Sequence, residues 1–97
     1  MLQTGIKEIV IEELIGLAKK HDIKEMILFG SRARGDYGRA SDIDLAVRGG
    51  DICRFALDVE EETSTPLRYD MVDLDGNVQE DLKIAIKTEG VVLYEKI

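Results

Sequence analysis

Hydrophobic and polar positions follow two different periods along this chain. Residues 5–21 carry apolar side chains at three- and four-residue spacing, which predicts an amphipathic helix. The run 26–29 is apolar throughout and ends at Gly30, as a short buried strand would. From 42 to 47 apolar residues take every second position, the period of a strand with one buried face. The polar connection between the two strands leaves room for one helical turn.

The second half of the chain alternates helix and strand again. The pattern predicts a helix over 51–63, a strand over 67–74, a helix over 78–88 and a short strand over 91–94. We expect Gly90 to end the last helix in the left-handed conformation. Because no long helix joins the first two strands, they cannot form a parallel β-α-β unit. We therefore expect an α/β fold of the α+β type, a small mixed sheet of three to four strands with helices packed on one face.

Length and composition restrict the function. The 97 residues predict a single domain over 1–97, and the net charge of −7 argues against bulk nucleic-acid binding, which needs a basic face. No apolar run approaches the roughly 20 residues of a membrane span, and the lone Cys53 is compatible with a cytoplasmic location. Five of the six arginines fall between positions 32 and 54, which favours a small anionic ligand over a polymer.

The strand over 42–47 carries two carboxylates on one face. Asp42 and Asp44 are separated by one residue, so they lie on the same side of the strand while the apolar residues take the other. Two carboxylates this close repel each other, and hard oxygen ligands suit Mg²⁺. An isolated Asp-x-Asp is common, so this pair alone is weak evidence for a metal site.

The end of the first strand adds a candidate phosphate site. Gly30 and Ser31 follow the buried strand and open a helical turn, whose first N–H groups are free to bind phosphate. Ser31 contributes a hydroxyl group, and Arg32 and Arg34 contribute positive charge. An ordinary strand-to-turn glycine beside solvated arginines is the plainer interpretation of the same residues.

A third carboxylate lies in the strand over 67–74. Alternation places Asp70 opposite Leu67, Tyr69 and Met71, so Asp70 shares the open face with the other two carboxylates if those three residues are buried. Three carboxylates can hold two metal ions for phosphoryl chemistry.

These residues carry a resemblance to a known family. Gly30-Ser31, ten residues and then Asp42-Ile43-Asp44 resemble the signature of the DNA polymerase beta-like nucleotidyltransferases. The segments Gly-Ser-Arg-Ala-Arg-Gly, 69–74 and 89–95 are similar to the minimal nucleotidyltransferases (MNT), the small partners of HEPN-domain proteins. The resemblance covers nearly the whole chain and implies a nucleotidyltransferase fold.

The resemblance also implies a role for each motif residue. Gly30 and Ser31 would contact the triphosphate of ATP, with assistance from Arg32 and Arg34. The three aspartates would bind Mg²⁺, as two ions, and Asp70 would help to activate an acceptor hydroxyl group. Larger relatives use an added helical domain for the acceptor, so we expect a partner chain, a HEPN-domain protein, to complete the cleft as a hetero-oligomer.

Three functions are compatible with this resemblance. The favoured one is transfer of AMP to a hydroxyl group on a partner protein, as the antitoxin of an MNT/HEPN toxin–antitoxin pair. The second is an antitoxin that neutralises its toxin by binding alone, with a weak or vestigial site. The third is nucleotidyl transfer to a small molecule, as in antibiotic-modifying enzymes.

Overall fold

The computed structural model describes residues 3–97, and the elements in that part of the chain follow the predicted order. The helices are α1 (Glu8–Lys20), α2 (Ser31–Arg34), α3 (Ile52–Glu62) and α4 (Glu80–Glu89). The strands are β1 (Glu25–Phe29), β2 (Ile43–Arg48), β3 (Tyr69–Asp73) and β4 (Val91–Glu95). The single helical turn expected between the first two strands is α2.

The four strands form one mixed sheet in the order β3-β2-β1-β4. Strand β1 is antiparallel to both β2 and β4, whereas β2 and β3 are parallel and are joined by α3. The antiparallel pairing of β1 with β2 follows from their short connection, because a parallel pair needs a long crossover. The expected mixed sheet and α+β fold are confirmed.

The main core lies between one face of the sheet and the helices α1 and α3. Alternation in β2 directs Ile43, Leu45 and Val47 into this core, where each is fully buried. The helices contribute apolar side chains at helical spacing, among them Leu14 and Phe55. The sheet is therefore anchored along the whole length of β2, and the side chains on the other face of β2 do not belong to this core.

Helix α4 packs on that other face and corrects one expectation. We expected all helices on one face, but Ile86 of α4 is buried against Phe29 and Ala46 on the opposite side from α1 and α3. The physical reason is that Ala46 and Val72 are apolar positions on the same face as Asp44 and Asp70, and they need a cover. One part of this face is thus buried under α4, and the part that carries the carboxylates stays open.

The end of α4 corrects a second expectation. Gly90 has φ −65° and ψ 147°, which is extended and not left-handed. A β carbon at Gly90 would overlap the carbonyl oxygen of Ile86 and the side chain of Ile27. The glycine is therefore required for close approach of the chain to β1, which fixes the end of α4 against the sheet.

None of the helices within residues 3–97 has the length and apolar character needed to cross a bilayer.

Candidate active site

The turn after β1 forms one side of the site. Gly30 has φ 75°, and its carbonyl oxygen accepts hydrogen bonds from the N–H groups of Ala33 and Arg34, both at 3.1 Å. The first N–H groups of a helix have no acceptor within the helix, and that of the partly exposed Ser31 is available to a ligand. Ser31 is partly exposed, with its hydroxyl group at the same helix end. This geometry suits a phosphate group.

Gly30 lies directly against the carboxylate of Asp44. The two strands are in register so that Phe29 pairs with Asp44, and Gly30 follows immediately. A β carbon built on Gly30 would overlap the Asp44 side chain. The turn and the carboxylate are therefore in contact, and any side chain in place of the glycine would push the carboxylate away.

Asp70 approaches Asp44 from the other side. Strands β2 and β3 pair in parallel with Asp44 opposite Asp70, and neighbouring strands lie about 4.8 Å apart. Both residues are on the face opposite Ile43 and Tyr69, which belong to the main core. Asp42 is exposed immediately before β2. The structure thus brings the three aspartates to one open edge of the α4 face.

These carboxylates carry negative charge that the protein does not neutralise. Partial burial raises the pKa of Asp44 above its ordinary value, and the charges of Asp70 and Asp42 raise it further, while Arg34 opposes the shift. In the described part of the chain, none of the three aspartates takes part in an ion pair. The site therefore has an excess of negative charge.

The donor set fits a divalent metal ion. Among residues 3–97, no group of three His, Cys, Asp or Glu side chains is already arranged to hold a metal. Asp42 and Asp70 are exposed, and the pKa of Asp44 is raised mainly by burial and further by the negative charges of Asp70 and Asp42. Three hard oxygen donors beside the Gly30 turn suit Mg²⁺, which is commonly held by carboxylates together with substrate phosphates.

Arg32 has a different role from the one we expected. Its side chain is only 2% exposed, and its nitrogens donate to the backbone carbonyl oxygens of Ser41 at 3.0 Å, Thr4 at 2.9 Å and Arg39 at 3.4 Å. The guanidinium also stacks 4.9 Å from the centre of the Tyr37 ring. Arg32 ties the N-terminal segment to the loop before β2, so the side chain is not free to meet a phosphate.

Arg34 is exposed, and it lies near the carboxylates. Its Nη1 donates to Glu89 Oε2 at 2.9 Å and its Nε to Asp36 Oδ2 at 3.2 Å. Both contacts raise the pKa of the guanidinium, which is charged in any case. Arg34 is the arginine of the motif that remains available to a phosphate. The contact between Arg34 and Glu89 could not be predicted from local patterns, because the two residues are 55 positions apart.

Comparisons with known proteins show the family of the chain. The model of the polymerase beta nucleotidyltransferase family matches residues 12–97. The crystal structure of a toxin–antitoxin with AMP-PNP contains a chain 27% identical to this one, with a TM-score of 0.68, covering 89% of this chain and 73% of that one. A chain in a mutant of the toxin–antitoxin MntA–HpeT is 25% identical, with a TM-score of 0.67 and the same coverage. A chain from Shewanella oneidensis is 19% identical, with a TM-score of 0.68. The match covers 94% of this chain and 74% of that one, and the two share the fold. No curated protein matches the sequence.

Proposed function

Since this chain belongs to the polymerase beta nucleotidyltransferase family and is of the minimal (MNT) type, we propose that it transfers AMP from ATP to a hydroxyl group on a partner protein. The observation that carries the proposal is the alignment of Asp44 between the Gly30 turn and Asp70. The Gly30 turn and the Asp44 carboxylate are in direct contact, with Asp70 on the neighbouring strand, and this arrangement supports a proposal in which the turn binds phosphate and the carboxylates bind metal.

Each residue has a chemical task in this reaction. The N–H groups at the start of α2 and the hydroxyl group of Ser31 bind the β- and γ-phosphates, and Arg34 adds positive charge. Asp42, Asp44 and Asp70 hold Mg²⁺, which when bound neutralises charge that develops on the phosphates. Asp70 accepts the proton of the acceptor hydroxyl group. The hydroxyl oxygen forms a bond to the α-phosphorus as the bond to the pyrophosphate breaks.

The acceptor in this proposal is a toxin of the HEPN type, and this chain is its antitoxin. Two structurally similar chains belong to toxin–antitoxin complexes, and one of those complexes was solved with AMP-PNP. Asp42 and Asp70 are exposed, so the carboxylates can be reached by a side chain of a docked protein. A partner surface placed there would also exclude water from the reaction.

The test is transfer of label from α-labelled ATP. The protein is incubated with Mg²⁺ and a HEPN-domain protein, and the products are separated by mass. We expect label on the partner, and none with an Asp42→Asn/Asp44→Asn variant. A Glu60→Gln/Glu62→Gln variant is the matched control, because it makes the same change in net charge at exposed positions of α3.

The outcomes separate the proposal from its competitors. If the Asp42→Asn/Asp44→Asn variant still neutralises the partner and no label ever appears, the protein acts by binding. If label appears only on small molecules such as aminoglycosides, the transfer chemistry is right and the acceptor is wrong. Label that persists in the variant would remove the aspartates from the active site.

A further inference from the structure

Glu89 occupies a position in which a carboxylate is unfavourable. It is the last residue of α4, where the helix dipole is negative and a cation is preferred. The only hydrogen bond of its side chain among the described residues is the one it accepts from Arg34 at 2.9 Å. Residues that break a local electrostatic preference are expected where function requires them. The partner of Glu89 is the exposed arginine beside the carboxylates.

The contact leaves one edge of the Arg34 guanidinium free. Nε donates to Asp36 and Nη1 donates to Glu89, and Nη2 has no hydrogen-bond partner within residues 3–97. A guanidinium held at two nitrogens cannot rotate freely, so the direction of the third is set. An arginine that is already oriented loses less side-chain entropy when it binds a ligand.

Both elements that carry this contact, α4 and α2, are anchored in the fold. Ile86 is buried against the sheet one turn before Glu89, and Gly90 packs closely against Ile27 of β1. On the other side, α2 follows β1 directly, and Gly35 closes the turn with φ 94°. The ion pair therefore connects the phosphate-binding turn to α4 across the edge of the sheet. Sites supported by such elements are held more accurately than sites on loops.

We infer that Glu89 is a positioning residue for nucleotide binding, which holds Arg34 so that its free Nη2 faces the β- and γ-phosphates of the donor. The inference rests on the proposed nucleotidyl transfer and adds to it a residue outside the signature that runs from Gly30 to Asp44. The alternative behaviour is competition, in which Glu89 occupies Arg34 and must release it before the phosphates can bind. The two predict opposite effects of removing the Glu89 charge.

The experiment measures binding of α,β-methylene ATP with Mg²⁺ to the full chain by calorimetry, and binding of AMP by competition. We expect Glu89→Gln to weaken binding of the triphosphate analogue about fivefold, the size of a modest coupling between neighbouring charged groups. AMP lacks the β- and γ-phosphates, so its affinity should not change. In an Arg34→Gln background the Glu89→Gln substitution should have no further effect, because the residue it positions is gone.

The matched control is Glu25→Gln. Glu25 accepts a hydrogen bond from Arg48 at 2.8 Å, so this variant breaks an equivalent ion pair away from the site and should leave nucleotide affinity unchanged. Unchanged or tighter triphosphate binding in Glu89→Gln, an equal loss for AMP, or a loss that persists without Arg34 would each overturn the role of Glu89. If the unmodified protein binds no triphosphate analogue, the proposed transfer fails as well.

Discussion

The two ends of the sheet differ in whether their acidic side chains have basic partners. At one end, which we name the carboxylate end, Asp42, Asp44 and Asp70 lie together without ion-pair partners among the described residues. At the other, which we name the paired end, three acidic side chains each meet a basic partner. The pairs are His21–Asp58 at 2.6 Å, which is an ion pair when His21 is protonated, Arg48–Glu25 at 2.8 Å and Lys96–Asp22 at 2.8 Å.

The difference separates stability from function. Each ion pair on a surface contributes little to stability, but it compensates the charges of its two members. Three carboxylates at one edge do the reverse, because their repulsion and the partial burial of Asp44 favour the unfolded chain at neutral pH. Proteins keep such unfavourable arrangements where activity requires them. The carboxylate end therefore has the electrostatics of a binding site, and the paired end has those of an ordinary surface.

The largest expected effect is on the carboxylate end itself. Asp44→Asn removes the charge that contacts the Gly30 turn, so we expect nucleotidyl transfer to fall by about 100-fold or more, as for the loss of a metal ligand or a principal electrostatic group. The same change removes repulsion with Asp70, so stability against urea should increase. Transfer of α-label and urea unfolding measure the two effects. Loss of activity together with loss of stability would mean that Asp44 holds the fold.

Substitutions of the two arginines of the motif should likewise have different effects, one on stability and the other on nucleotide binding. Arg32→Ala leaves buried carbonyl oxygens without donors, and we expect it to lower the free energy of unfolding by about 3 kcal/mol. Arg34→Ala removes an exposed side chain, so stability should change little while affinity for triphosphate falls. Urea unfolding and nucleotide titration of both variants provide the measurement. Equal loss of stability in the two would contradict the roles assigned here.

Two glycines give a smaller contrast. Gly30→Ala forces an alanine into φ 75° and against Asp44, and we expect a cost of about 2 kcal/mol in stability together with loss of transfer. Gly16 lies inside α1 with no atom within 4 Å of an added β carbon. Gly16→Ala should therefore stabilise the protein by about 0.5–1 kcal/mol and leave transfer intact. Chemical denaturation of the pair tests this, and a Gly30→Ala protein with full activity would exclude the close contact with Asp44.

Features that depend on local sequence patterns could be predicted, and features that depend on contacts between distant residues could not. The strand containing Asp44 could be predicted because alternation is a local pattern, and so could the faces of Tyr69 and Met71. The covering of Ala46 by α4 was missed, since a period of two does not say which face receives a helix. The burial of Arg32 was missed for a different reason, which is the long range of its contacts. Its acceptors include Thr4, 28 positions away, and short-range patterns do not encode such contacts.

The smallest predicted effect is on the pH dependence of stability, and it has opposite signs at the two ends. The hydrogen bond with His21 lowers the pKa of Asp58, so its contribution is present above the ordinary carboxyl pKa and is lost as pH falls through the lowered value. Burial raises the pKa of Asp44, so the folded protein binds that proton more tightly than the unfolded chain does. Protonation of Asp44 therefore stabilises the fold as pH falls through the raised value.

Urea unfolding between about pH 7 and about pH 3 distinguishes the two contributions. The Asp58→Asn variant should lose less stability in acid than the unmodified protein, because it lacks the Asp58 carboxylate whose favourable contact with His21 is lost on protonation. Asp44→Asn should steepen the loss, because the gain from protonating Asp44 is removed. Glu60→Gln, at an exposed position of α3, should follow the unmodified protein. If Asp44→Asn flattened the profile instead, Asp44 would be a stabilising charge like those of the paired end, and the distinction between the two ends would not hold.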